Sequence, residues 1–538
     1  MFSLPNIAEY FLISLAMAAL CCLCTFKLLG GLQQLGYDGK KYARWLTKKG
    51  NMAWSRLALL GFLAALSSAV LAVCFAFTGK AAAYISLVPF PLFFGLYFYA
   101  DKRALKVPLV PTNRVKHIYL AEYVLFLLAG AAIVLAVNAA AHYSGIGIVR
   151  DLRYVPLALL PVLLPLLVRA ANFFDSLYEN PKNARYVAKA KQKLAESKAV
   201  RIGITGSFAK TSVKNILAAM LSEKHTVLAT PASYNTPLGI AKFINGTDFD
   251  GCEYFIAEMG ARHVGDIEEL CKLVEPDHCI LTGICGQHLE TFLSLENVKR
   301  AKGEILTGTK EGGFAVFGED ENVRSLAENC EGLVKVFAGE GGEVCAKNVR
   351  TSPDGIDFDL MFGILREKAH CKLLGAHNAR NIAAAAAMAW KLGATREDIV
   401  AAIGKLEFVP HRLQKLDGEG VTILDDSYNS NIEGAKAAID VLCDFGGTKF
   451  VVTPGLVEMG ILEESANAAL GEKLVAADRV ILVGATLAGE LKNGYLKAGG
   501  DAEKLTLVPT LDKAKEILAA ELKTGDTVLF LNDLPDIY

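Results

Sequence analysis

Val200-Arg201-Ile202-Gly203-Ile204-Thr205-Gly206-Ser207-Phe208-Ala209-Lys210-Thr211-Ser212 reads as an apolar strand, a loop of small residues and a Lys-Thr pair that opens a helix. This is the arrangement of a phosphate loop. Successive backbone N–H groups and a helix N-terminus hold an anion, Lys210 reaches the outer phosphates, and the Thr211 hydroxyl is placed to ligate Mg²⁺. The spacing departs from the strict pattern, because Gly203 precedes Ala209 by six residues rather than five and Ala209 stands where glycine is expected. Alanine is tolerated there only where the backbone does not need a positive φ. An ordinary glycine-containing turn from strand to helix draws on the same residue types.

Downstream of this loop, short β-rich runs alternate with amphipathic helical stretches, the signature of parallel α/β layers. The runs are Ala199 to Thr205, Tyr254 to Glu258, Cys279 to Thr282, Phe450 to Thr453, Arg479 to Val483 and Thr527 to Leu531. Upstream the character differs. Of the 538 residues 52% are hydrophobic and 21% charged, with a mean hydropathy of +0.33, and the apolar excess lies in the first third. Five segments near 8–29, 57–78, 81–100, 118–140 and 154–173 approach the roughly 20 apolar residues of a bilayer-spanning helix. They predict a multi-pass α-helical membrane region over 1–175, with the lipid bilayer as a partner; buried core helices are the alternative. Pro156, Pro161 and Pro165 interrupt the fifth segment.

Basic residues favour the cytoplasmic ends of spans. Lys27, Lys40, Lys41, Arg44, Lys48, Lys49 and Arg56, with Lys102, Arg103, Lys106, Arg114 and Lys116, make twelve, against Lys80, Arg150 and Arg153 on the other side. Five spans then place the N-terminus outside and everything after 173 in the cytoplasm. Residues 176–198 read as a basic linker with helical tendency. A net charge of −1 excludes a globally basic nucleic-acid binder. Twelve cysteines without metal-ligand spacing point to reduced thiols rather than to zinc or a disulfide framework.

Seven motifs between 199 and about 435 resemble the Mur ligase family, closest to its MurF-like branch, which adds D-alanyl-D-alanine. In chain order they are ITGSFAKTSVK, YNTPLGI, IAEMGARHVGDI, GQHLETFLSLENVKRAKGEI, GAHNARNIAAAAA, VPHRLQ and DDSYNSN. The resemblance implies a P-loop-type central domain over 199–408 and a Rossmann-like C-terminal domain over 409–538, with ATP and Mg²⁺ as cofactors. It assigns ATP to Gly203, Gly206, Ser207, Ala209, Lys210, Thr211 and Ser212, adenine to Asn378 and Asn381, the γ-phosphate to Arg412 and ribose to Asp426. Thr211, Glu258, His288 and, if carbamylated, Lys302 become metal ligands. Asn235, Thr236, Tyr428 and Asn429 face substrate, and Lys210, Lys302, His288 and Arg412 carry the catalysis.

Each assignment has an ordinary counterpart. Glu258 also reads as a solvated strand end, Lys302 as a helix-surface lysine beside Lys299 and Arg300, Asn378 and Asn381 as helix caps, and Asp425 to Asn431 as an Asx-rich turn. His411 replaces the glycine that usually precedes the arginine, and the ending Asn532 to Tyr538 is acidic where the family's is basic. The apolar first third takes the place of the family's nucleotide-binding domain. The implied enzyme is an ATP-dependent ligase that joins a carboxylate on an envelope precursor, lipid-linked or membrane-proximal, to an amino acid or short peptide amine. Association with other envelope-synthesis enzymes stays open. Alternatives are a synthase for a poly-γ-glutamate-type polymer and a catalytically weakened ATP-binding scaffold.

Overall fold

The computed structural model describes residues 4–47, 54–78, 80–100, 109–144, 152–231, 234–286, 288–328, 330–428, 431–457, 459–484 and 486–532. The chain forms two compact units that divide between Lys182 and Asn183.

In the first unit the apolar runs are helical: Leu4–Cys24, Phe26–Gln34, Trp54–Cys74, Lys80–Ile85, Pro89–Ala100, Asn113–Ser144, and a 3-10 stretch Val155–Leu163 that leads into Leu164–Glu196. The expectation of five spans is corrected. By length and composition three helices among the described residues qualify for a crossing, Ala81–Tyr99, Asn113–Tyr143 and Val155–Glu196, or four if the first pair, bent by 50°, counts as one. The second segment yields only the shorter apolar helix Leu59–Cys74. The prolines of the fifth do not end it. Pro156 and Pro161 lie in the 3-10 stretch and Pro165 in the first turn of the next helix, where a missing N–H is cheap. The helix continues to Glu196, so most of the stretch read as a basic linker is its second half.

The second unit holds three sheets. The strands are β1 Val200–Thr205, β2 Val227–Ala229, β3 Tyr254–Glu258, β4 His278–Leu281, β5 Phe314–Phe317, β6 Val334–Phe337, β7 Val344–Ser352, β8 Gly355–Phe362, β9 Leu365–Cys371, β10 Gln414–Gly418, β11 Val421–Asp426, β12 Lys449–Thr453, β13 Arg479–Val483, β14 Leu505–Val508 and β15 Thr527–Leu531. The first sheet is parallel in the order β2-β3-β1-β4-β5-β6. Near-continuous burial of β1, β3 and β4 is what a sheet covered on both faces requires. Their carboxyl ends place the loop after Thr205, the Glu258 carboxylate and the segment after Leu281 along one edge, where open α/β sheets bind ligands.

The three strands β7-β8-β9 form a separate antiparallel sheet whose inner residues Ile356, Phe358, Leu360 and Phe362 are buried. The alanine-rich helix His377–Lys391 shares their core with the helix Lys210–Ser222, and Ala383 to Ala389 are almost wholly buried. Short side chains permit that close packing. The last sheet runs β10-β11-β15-β12-β13-β14, parallel except for the hairpin β10-β11.

Below this sheet the helices Glu463–Lys473 and Ala488–Lys497 touch through glycine. A Cβ on Gly494 would lie 2.0 Å from the Ala468 carbonyl oxygen, and one on Gly471 would lie 2.2 Å from that of Leu491. Either substitution to alanine forces two backbones apart, and a stability loss of about 3 kcal/mol is expected, read as a lower urea midpoint at unchanged slope. Gly489 on the same helix meets nothing within 4 Å, so Gly489→Ala is expected to stabilise by about 0.5 kcal/mol.

Candidate active site

The loop after β1 is fastened from the neighbouring strand. Ser207 N–H donates to the Gly283 carbonyl at 2.7 Å, the Ser207 hydroxyl contacts both the carbonyl and the N–H of Cys285 at 3.2 Å, and the Thr282 hydroxyl donates to the Phe208 carbonyl at 2.5 Å. A Cβ at Gly206 would fall 2.1 Å from that Thr282 oxygen, so glycine is obligatory there. Ala209 sits at φ 63°. The loop therefore does need a positive φ where alanine stands, at a cost of about 1 kcal/mol, and the fastening bonds hold it. Gly203 is not part of the loop. It lies inside β1, where a Cβ would meet the ends of Ile305 and Met259 at 3.1 Å.

Lys210 folds back onto the loop, with its ammonium donating to the carbonyls of Gly206 at 2.7 Å and Ser207 at 3.1 Å. Burial lowers its pKa, against the opposing pull of Glu258 and with further lowering from Arg412. Thr211, the next residue, bonds to Glu258 at the end of β3. Glu258 is the hub of this pocket and is 2% exposed. Its Oε2 accepts from the Thr211 hydroxyl at 2.8 Å and lies 3.6 Å from Lys214 Nζ, while Oε1 accepts from the Asn235 amide at 3.2 Å. Its own N–H donates to the Thr230 hydroxyl, and Lys214 donates to the Thr230 carbonyl at 2.6 Å. Sequence reasoning missed Lys214, Thr230 and Thr282; the one available signal was Lys214, one helical turn beyond Lys210.

Lys302 is 3% exposed, on the helix Leu295–Gly308. Its Nζ lies 3.5 Å from the Ala261 carbonyl and 5.9 Å from the centre of the Phe292 ring. Burial first, and then the charge of Lys210, push its pKa well below the usual lysine range. It is no surface lysine. His288, at φ 56°, caps the short helix Leu289–Phe292, and its carbonyl accepts from the Thr291 hydroxyl. Among the described residues no group of three or more His, Cys, Asp or Glu could hold a metal by itself. One buried carboxylate beside one hydroxyl is instead the donor set of a Mg²⁺ that takes its remaining ligands from phosphate and water, and the residues fit such an ion.

Asn378 and Asn381 are held by each other. The Asn378 amide donates to the Leu374 carbonyl at 2.8 Å and its oxygen accepts from Asn381 at 3.1 Å. Thr236 caps the helix Pro237–Gly246 by accepting from Gly239 N–H. Ser212 lies in the first turn of the helix that starts at Lys210. The Arg412 guanidinium lies 3.9 Å above the centre of the Tyr428 ring, and the Asp426 carboxylate accepts from Leu413 N–H at 3.0 Å. Asn429 lies outside the described residues. A cavity of about 220 Å³, lined by Cys285, Asn431, Ile432, Met459, Leu462 and Ser465, opens between the segment after β4 and the last domain.

Residues 204–389 match the Mur ligase middle domain, and residues 411–532 match the Mur ligase glutamate ligase domain. The chain belongs to the Mur ligase family. It is similar to the UDP-N-acetylmuramoyl-tripeptide D-alanyl-D-alanine ligase of Escherichia coli, with 33% identity over 290 residues, covering 53% of this chain and 64% of that one. The Haemophilus influenzae ligase of the same name is 30% identical over 266 residues, 48% of this chain and 58% of that one. The chain thus spans less than two thirds of the length of these relatives. Among solved structures, MurF from Acinetobacter baumannii superimposes with a TM-score of 0.60 at 26% identity, covering 65% of this chain and 77% of that one. MurF ligase from Thermotoga maritima in complex with ADP gives 0.60 at 28%, covering 66% and 81%.

The relatives are named as ligases, and the Thermotoga maritima structure holds ADP. The expected location, a multi-pass cell-membrane protein with an external N-terminus, is corrected. The Mur ligases it resembles are named for a UDP-linked precursor, a water-soluble substrate, and apolar helices alone do not make a membrane protein.

Two outcomes follow from the electrostatics of the pocket. Removing one partner of the buried Glu258–Lys214 pair strands the other charge, so Glu258→Gln is expected to cost about 3 kcal/mol of stability, and adding Lys214→Met is expected to restore much of it in a double-mutant cycle. Burial raises the Asp426 pKa to about 7, with Arg412 pulling it down. A carboxyl raised above its unfolded value contributes stability that is fully present below about 3.9 and lost as pH rises through about 7. Asp426→Asn, which keeps the acceptor for Leu413, is therefore expected to gain stability relative to wild type as pH rises from 4 to 8, measured by thermal melts.

Proposed function

We propose that this Mur ligase is an active ATP-dependent carboxylate–amine ligase that forms an amide bond on a peptidoglycan-related precursor through an acyl phosphate, releasing ADP and phosphate. The loop that Lys210 folds back onto, with the Thr211 hydroxyl on the buried Glu258 carboxylate beside it, carries the reading. Bound Mg²⁺ neutralises phosphate charge in such chemistry. Thr211 and Glu258 are the residues that would hold it, and His288 and Lys302 are candidates for a second ion. Lys210 is poised to exchange its two loop carbonyls for phosphate oxygens. Arg412 supplies a second cation from the last domain, and its stacking on Tyr428 keeps the guanidinium oriented. We assign Gly206, Ser207, Ala209 and Ser212 to the phosphates, Asn378 and Asn381 to adenine and Asp426 to ribose, with Asn235, Thr236, Tyr428 and Asn429 facing the reacting peptide.

Lys302 suits carbamylation. Its depressed pKa keeps a larger share of the amine neutral, and only the neutral amine adds to CO₂, forming an N–C bond as a proton leaves to solvent. The anion so formed would answer the charge of Lys210. A second reading concerns the carrier. The relatives are named for a UDP-linked precursor, and a polyprenyl-linked one is the alternative to be tested against it.

The test offers the full-length protein ATP, Mg²⁺ and D-alanyl-D-alanine with either a UDP-linked or a polyprenyl-linked muramoyl tripeptide, and reads products by mass spectrometry. ADP-coupled amide formation is expected, with a loss on the order of 10²- to 10³-fold in kcat for Lys210→Ala. Absence of ATP turnover in wild type would leave the scaffold alternative standing. Use of the UDP-linked acceptor alone would exclude the lipid carrier. A carbamate carbon signal from ¹³C-bicarbonate, absent in Lys302→Met, is expected to mark the modification.

A further inference from the structure

His411 occupies an unusual backbone position. Its φ of 61° lies in the left-handed region, which costs an ordinary L-residue about 1 kcal/mol and which glycine adopts freely. Leu413, at φ 48°, is in the same region two residues on. A histidine that stays in such a conformation needs something to hold it, and three sets of bonds do so. Its Nδ1 lies 2.8 Å from Asp425 Oδ2 and 3.3 Å from the Ser427 hydroxyl, which itself donates to Asp425 Oδ1 at 2.5 Å. Its carbonyl accepts from Tyr428 N–H at 3.2 Å. Two residues further, Leu413 N–H donates to Asp426 Oδ1. The linker on either side of Arg412 is therefore stitched to the end of β11, while Tyr428 of that same end lies under the Arg412 guanidinium.

We propose that His411 is a positioning residue: its side chain clamps the linker onto the Asp425–Tyr428 turn, so that Arg412 is carried by the last domain as a rigid part of it and enters the phosphate pocket already oriented. The hinge then lies on the N-terminal side of His411, at Val409 and Pro410. The Asp425 side chain is 15% exposed and that of His411 is 60% exposed, so the pair itself is worth little as an ion pair. Its effect is geometric: the Arg412 N–H bond to the Val409 carbonyl and the His411 N–H bond to Gln414 shape the turn, and the His411 side chain is what joins that turn to Asp425 and Ser427.

The kinetic part of this inference rests on the ligase reading; the structural part does not. Full-length His411→Gly keeps a backbone that accepts positive φ and loses only the clamp. If His411 merely tolerated a strained position, glycine would leave the protein as stable or more so and equally active. If it clamps, the amides of Leu413 and Tyr428 are expected to exchange with solvent roughly tenfold faster, with the melting temperature within about 2 °C of wild type. Under the same proposal kcat falls roughly three- to tenfold while KM for ATP changes by less than about twofold. Asp425→Ala is expected to reproduce the effect, and the double variant to be no worse than either single one. Unchanged exchange at both amides, or effects that simply add, would overturn the clamp. Faster exchange at these amides in the variants, with a wild type that has no ligase activity, would uphold the clamp and sink the ligase reading.

Discussion

The structure of the pocket depends on burying one carboxylate at the end of a parallel strand. Glu258 is almost completely removed from water, and an ion in that position is tolerable only if its lone pairs are met and its charge answered. Four residues from three elements are arranged around it. Thr211 and Lys214, from the helix behind the phosphate loop, and Asn235, from the turn after β2, meet the carboxylate, while Thr230 at the end of β2 holds the Glu258 backbone N–H and the Lys214 ammonium. The position of the loop helix relative to β3 is thereby fixed by chemistry as well as by packing. The same four contacts leave the carboxylate beside a hydroxyl at the sheet edge, where a hard cation bridging phosphate oxygens would need it.

Much of this was legible in the sequence, for a physical reason. Strands buried on both faces are continuous apolar runs, and β1, β3, β13 and β15 were visible as such; β4 and β12 begin one residue earlier than read, at the polar His278 and Lys449. The sheet β7-β8-β9 was not visible. Its strands carry Lys347, Arg350, Asp357, Asp359, Arg366 and Lys368, so the pattern looks like polar chain, and only the Pro353-Asp354-Gly355 turn marked a hairpin. The helix from Leu164 to Glu196 was cut in two because apolar composition stops near 173, whereas the backbone hydrogen bonding that defines a helix continues through a polar surface.

The site residues divide along a similar line. Lys210, Thr211 and Glu258 were legible because their chemistry follows from position at a strand end or a helix start. Lys302 was legible only through family resemblance, and its burial could not be read from neighbours as polar as Lys299, Arg300 and Glu304. Asn378, Asn381 and Thr236 each have a structural hydrogen bond that would place the same residue type there without a ligand. Lys214 escaped notice because its role depends on a partner 44 positions away, which only the folded register of β3 against β1 brings near.

Ala209 and His411 occupy positions where glycine would carry no strain. What retains the strained backbone differs between them. Around Ala209 the fastening is largely buried, from Thr282, Gly283 and Cys285 on the neighbouring strand's exit, so water competes with it less than at His411. Around His411 the fastening is half exposed, and water can compete for each bond. Strain held by buried bonds makes a rigid element, and strain held by exposed bonds makes one that opens at low cost. The phosphate loop is accordingly the more firmly held of the two strained segments.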